Sequence, residues 1–224
     1  WAALWGRLWL LAFRRPSYDW DGLYYHVPAI HEWVLRGRVA WLSDFTDVPF
    51  VNYPMAVEAQ GFFLHQILGA DRLVDGLNLW YWPMAFLAVV VASGVLGAAG
   101  PWRWLAGALL GGAPVLVAQS VTSYIDPGAG ACVMAAVAAT LVLVFHGGRR
   151  PGWTVVLWGA SVGLVLGSKG TGVVLAPVFA AAAIGGGLLQ EGWRRWPVWL
   201  RRVAIGLSVA ATIGGYWYAR AAYH

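Results

Sequence analysis

The sequence predicts an all-α, polytopic membrane bundle, and three observations carry that prediction. The chain is 60% hydrophobic and only 11% charged, with 16 Trp and a mean hydropathy of +0.62, whereas a soluble domain carries roughly a quarter charged residues. From Leu77 onward, apolar runs long enough to cross about 30 Å of hydrocarbon alternate with short turns. The arginines stand in short clusters between those runs, the pattern that orients membrane helices. The net charge of +5 raises nucleic acid as a partner, but no basic stripe with interleaved aromatics accompanies it, and that class is set aside. The single cysteine, Cys132, lies inside an apolar run and supports no disulfide framework.

In chain order, residues 1–13 are apolar but interrupted by Arg7 and too short to span alone, so they read as the tail of a first helix. The chain begins at Trp1 and shows no basic n-region followed by a cleavage site, so no signal peptide is read and the chain is expected to start inside a longer protein, with 1–224 as one membrane domain. Residues 14–76 form the one long polar region. Pro28 suits a first helical position and Gly37 a stop, with Ile30, Trp33 and Val34 on one face and His31, Glu32 and Arg36 around the other. That is an amphipathic helix suited to the interface plane. Residues 37–53 read as an irregular loop. Pro54 opens a second such helix, with Phe62, Phe63 and Ile67 apolar and Glu58, His65 and Gln66 polar. Residues 77–219 then supply about six spans: 77–98, 101–124, 128–145, 153–167, 171–189 and 203–218.

If each span crosses once, Arg103, Arg149, Arg150, Arg194, Arg195, Arg201 and Arg202 share one side, which the positive-inside rule makes cytoplasmic. The loop 17–75, Asp126 and Lys169 then face the exoplasmic side of the plasma membrane. Gly159, Gly163 and Gly167, and likewise Gly107 and Gly111, recur every four residues and predict flat strips for close helix approach. The run from Gly167 to Gly172 invites a phosphate-loop reading and fails it. Ser168 stands where that motif needs Gly, Gly170 where it needs Ser or Thr, and no strand precedes.

The chemistry concentrates at 17–28, where two acids, a histidine and four aromatics stand between membrane-like segments. Charge beside hydrocarbon is expensive, which makes such a cluster a candidate site. Asp19 reads as a helix cap or solvated acid, and Asp21 stays open between that and a general base. His26 and His31 lack tight metal-ligand spacing. Asp126 precedes a proline at a helix end, where a turn role is natural. Lys169 lies in an apolar stretch with no acid near it in sequence and calls for an anionic partner, a carboxylate or a bound phosphate.

These residues resemble a known family. The stretch 18–28, Tyr-Asp-Trp-Asp-Gly-Leu-Tyr-Tyr-His-Val-Pro, is similar to the "WDxLxYHLP" stretch after the first membrane helix of bacterial GT-C glycosyltransferases. These polytopic enzymes use polyprenyl-phosphate sugars and are related to the protein O-mannosyltransferases and aminoarabinose transferases. Asn52-Tyr53-Pro54, residues 119–126, and 167–172, which looks like the family's "xxKxtG" turn, are similar too. Tyr24 stands where Thr is expected. The likeness runs in order through nearly the whole chain and covers the N-terminal membrane half of longer family members.

The resemblance implies a GT-C-like fold and assigns roles. Asp21 is the catalytic base toward an acceptor hydroxyl, and Asp126 a second acid holding the acceptor or a divalent ion. Lys169 stabilises the departing lipid phosphate, with the lipid tail along helices such as the Gly159 strip. Asp19, Tyr25, His26, Asn52 and Tyr53 join Lys169 as substrate-binding residues, and the helices from Pro28 and Pro54 roof the site against water. The implied partners are a lipid-linked sugar donor, a hydroxyl acceptor and membrane lipids. A secondary transporter predicts internal repeats and midplane polar groups. A non-catalytic scaffold subunit is the third reading, since a fragment can lack the half needed for turnover. The transferase reading carries a geometric expectation: Asp21, Asp126 and Lys169, far apart in sequence, line one cavity.

Overall fold

The computed structural model describes residues 2–15, 18–42, 53–69, 71–147 and 151–223, and these contain helices and no strands. Ten α-helices follow in order: α1 (Ala2–Arg14), α2 (Val27–Arg36), α3 (Ala56–Leu68), α4 (Leu77–Val95), α5 (Gly100–Gly111), α6 (Pro114–Gln119), α7 (Asp126–His146), α8 (Pro151–Ser168), α9 (Gly172–Glu191) and α10 (Trp196–Tyr223). A π-helical turn, Gly22–His26, leads into α2, and a 3₁₀ turn, Asp71–Gly76, leads into α4.

Among the described residues four helical stretches are long and apolar enough to cross a membrane: Val74–Val95, Asp126–His146, Gly172–Glu191 and Trp193–Tyr223. The sequence led us to expect six. The other two segments exist, but α8 is shorter, and 101–124 is not one helix. It breaks into α5 and α6 just before Pro114, because a proline has no N–H to donate and its ring collides with the preceding turn. Ala113 accordingly takes an extended ψ of 125°. After α6 the backbone stays irregular to Ile125, and carbonyls stranded there need partners. Asn78, buried at the start of α4, supplies them: its Nδ2 donates to the Thr122 and Tyr124 carbonyls at 2.8 and 2.6 Å.

The main core lies among α7, α8, α9 and α10, with Val57 of α3 and Leu77, Tyr81 and Ala85 of α4. The glycine strip on α8 meets α10, its most extensive neighbour. A Cβ on Gly159 would stand 2.3 Å from the Gly206 carbonyl oxygen, and one on Gly163 2.9 Å from that of Ala210. The strip is therefore covered by protein, which overturns the expectation that a lipid tail lies along it. Gly107 and Gly111 of α5 do the same against Phe86 and Trp82 of α4.

The first-loop helices form where expected, and Gly37 and Gly69 close α2 and α3 at φ 65° and 62°, conformations a side chain would strain. The apolar face of α2 is the expected one, and that of α3 differs. Ala29, Ile30 and Trp33 of α2 are buried with Met55, Phe62 and Trp217 in a second core, packed on protein. In α3 the buried residues are Val57, Glu58, Gly61 and Phe62, while Phe63 and Ile67 of the expected apolar set are exposed. An acid thus takes a core position.

Candidate functional site

At the end of the bundle where α7 begins and α8 turns into α9, a cavity of about 510 Å³ opens. Its wall takes Asp21, Tyr25 and His26 from the first loop, Tyr53, Pro54, Met55 and Glu58 from the approach to α3 and its first turn, Tyr124 to Asp126 from the start of α7, and Lys169 to Thr171 from the α8–α9 turn. That size suits a small-molecule ligand. Both α7 and α9 start at this wall, so the positive ends of two long helix dipoles lie beside it.

Asp19 shows how the first loop reaches this position. Its carboxylate is buried and accepts three hydrogen bonds, from the Gly22 N–H at 2.7 Å, the Ser123 N–H at 3.0 Å and the Ser123 hydroxyl at 2.9 Å. The contact ties the loop to the irregular segment after α6, 104 residues away. Gly22 is the only residue type that fits there, since a Cβ would stand 2.0 Å from the Ser123 oxygen and 2.4 Å from the Asp19 carboxylate. Asp19 is absent from the cavity wall and both its oxygens are occupied. Its carboxylate serves as a tether and as the cap expected from the residue itself. The tether leaves Asp21, two residues on and half-buried, facing the cavity.

Asp21, Asp126 and Lys169, which nothing local forces together, therefore line one cavity, with Tyr25, His26 and Tyr53. Asn52 lies outside the described residues. Lys169 donates to Asp126 in a direct ion pair. The two side chains remain 44% and 56% exposed, and the pair leaves the cavity open. Among the described residues no group of three or more His, Cys, Asp and Glu stands close enough to hold a metal ion, and the Asp126 carboxylate is engaged by Lys169, so a divalent ion on Asp126 gains no support.

The sequence reading passed over Glu58, which it placed on a polar surface. It is buried, and its Oε1 accepts from Nδ1 of His26 at 2.8 Å. The available signal was an acid in the first turn of a helix otherwise lined by Val57, Gly61 and Phe62. Tyr25 is pushed well above the usual phenol range, first by burial and then by the negative charges of Asp21, Glu58 and Asp126. It stays protonated and remains a hydrogen-bond donor at the cavity. Of the roofing helices, α3 and its approach line the cavity, while none of α2 does.

What the fold and cavity define is a helical membrane protein with a polar, aromatic-lined pocket at one end of the bundle. No protein-family model, curated protein or solved structure matches this chain.

Proposed function

We propose that this chain is the membrane half of a GT-C type glycosyltransferase, moving a sugar from a polyprenyl phosphate to an acceptor hydroxyl at the exoplasmic face of the plasma membrane. The observation that carries the reading is the convergence of Asp21, Asp126 and Lys169 on one cavity from three distant stretches. The acceptor oxygen attacks the anomeric carbon as Asp21 takes its proton, and the bond from that carbon to the phosphate oxygen breaks with its electron pair leaving on the phosphate. A phosphate is a weak base and needs no strong acid. It needs positive charge where negative charge develops, which Lys169 and the starts of α7 and α9 supply. Tyr25 donates a hydrogen bond, and Asp126 holds Lys169 in place until the phosphate arrives.

The ion pair also favours a second reading, in which Asp126 and Lys169 form a latch between α7 and the α8–α9 turn and carry no chemistry. The test is incubation of the complete protein in liposomes with labelled polyprenyl-phosphate hexoses and pentoses, scoring release of polyprenyl phosphate. Asp21→Asn keeps the size and removes the base, and turnover is expected to fall by a factor of about 10² to 10⁴ with thermal stability near wild type. Near-normal turnover in that variant would remove Asp21 from the mechanism, and absence of release from every donor would leave the latch.

A further inference from the structure

The Asp21, Asp126 and Lys169 set leaves unused the most deeply buried polar contact of the cavity. His26 and Glu58 meet through Nδ1 and Oε1 at 2.8 Å, with side chains only 1% and 4% exposed. Each has a second polar atom, Nε2 and Oε2, that is buried and has no hydrogen-bond partner among the described residues. Both residues belong to the cavity wall. Buried polar atoms without partners are costly and rare, and two on one contact call for an explanation.

The chemistry of the pair narrows what completes it. A carboxylate only accepts, so Nδ1 carries the proton and Nε2 is a bare acceptor. The Tyr25 ring lies against the imidazole, centroids 3.9 Å apart, and fixes its plane. The pair thus offers two acceptors, Nε2 on the far side of the ring and Oε2 on the carboxylate, and no donor. A metal ion would find only these two protein ligands, since no third His, Cys, Asp or Glu stands near enough among the described residues. Neutral donors fit best.

We propose that the His26–Glu58 pair is a recognition site for hydroxyl groups of the ligand, as a sugar ring presents them. His26 Nε2 and Glu58 Oε2 each accept one O–H, and Glu58 in addition holds His26 in the tautomer that accepts. The proposal rests on the sugar-transfer reading for its ligand class. It adds the wall that distinguishes the sugar from the phosphate, which Lys169 holds.

The experiment uses the complete protein in nanodiscs and three probes: a ten-carbon polyprenyl phosphate, and the same lipid bearing glucose or mannose. Wild type should bind at least one sugar-bearing lipid roughly tenfold tighter than the bare phosphate, the order of magnitude of one net hydrogen bond. His26→Gln and Glu58→Gln should bring that ratio to within about twofold of unity, with affinity for the bare lipid unchanged. Nitrogen NMR of the wild-type imidazole should show the proton on Nδ1. Full retention of the sugar preference in both variants overturns the proposal, as does a ring protonated on Nε2 alone. If His26→Gln does not fold, the near-isosteric Glu58→Gln decides. Equal binding of bare and sugar-bearing lipid by wild type removes the hydroxyl site and leaves the phosphate site standing, whereas binding of no lipid removes both.

Discussion

Two polar contacts line one cavity, and they are built from opposite materials. His26–Glu58 joins two rigidly packed residues that are almost fully enclosed. Lys169–Asp126 joins side chains about half open to solvent. Burial makes the first expensive to break, because whichever partner remains is stranded without water. Exposure makes the second inexpensive to break, because water and ions replace either partner. The difference assigns them different work. An exposed lysine can exchange a carboxylate for an incoming phosphate with little cost, while an enclosed imidazole keeps its orientation whether or not a ligand is present.

The largest expected effect breaks the buried contact. Glu58→Ala should lower the stability of the detergent-solubilised protein by about 1–3 kcal/mol, as the His26 Nδ1–H loses its acceptor in a dry site. Asp126→Ala should change it by no more than about 1 kcal/mol. Equal shifts in melting temperature for the two variants would erase the comparison. A sharper form is a pair of double-mutant cycles. Coupling between His26 and Glu58 should fall in the range of about 0.5–3 kcal/mol found for contacting residues, and that between Asp126 and Lys169 near 0.2–1 kcal/mol. The smallest effect is salt. Raising ionic strength shortens the screening length from about 10 Å at 0.1 M toward 3 Å at 1 M. The Asp126–Lys169 coupling should shrink by a few tenths of a kcal/mol and the His26–Glu58 coupling should not move. A salt-sensitive buried pair would mean that water reaches it.

The bundle was legible because hydrocarbon imposes a length and a composition that residues either meet or do not. The glycine strip on α8 was legible for the same reason: repetition every four residues puts small groups on one face whatever the neighbour is. Which neighbour covers it was not legible, and α10 rather than lipid turned out to be that neighbour. The break at Pro114 could have been read from the proline itself, but hydropathy averages over it. The cavity was legible in part. Lys169 in an apolar stretch demanded an anion, and Asp126 meets that demand from 43 residues away. Glu58 was hidden because helical periodicity assigns an acid to the wet face by default, and only tertiary packing shows that this one pairs with a histidine 32 residues earlier. Asp19 and Asp21 are two residues apart with similar sequence surroundings. Ser123 separates them, capturing one as a tether and leaving the other at the cavity.

That tether also sets an order of events in time. Asp19 is made 104 residues before Ser123, and at about 5–20 residues per second the interval on the ribosome is roughly 5–20 s. Throughout it the Asp19 carboxylate has no Ser123 to accept from, and the first loop cannot yet rest on the segment that follows α6. The cavity wall is therefore a late product of biosynthesis, closed only after α4 is in place to clasp the irregular carbonyls through Asn78. A nascent chain halted before Ser123 holds every residue of the first loop but not the tether that seats it, so any ligand for this pocket meets a complete site only after more than half of these residues have been made.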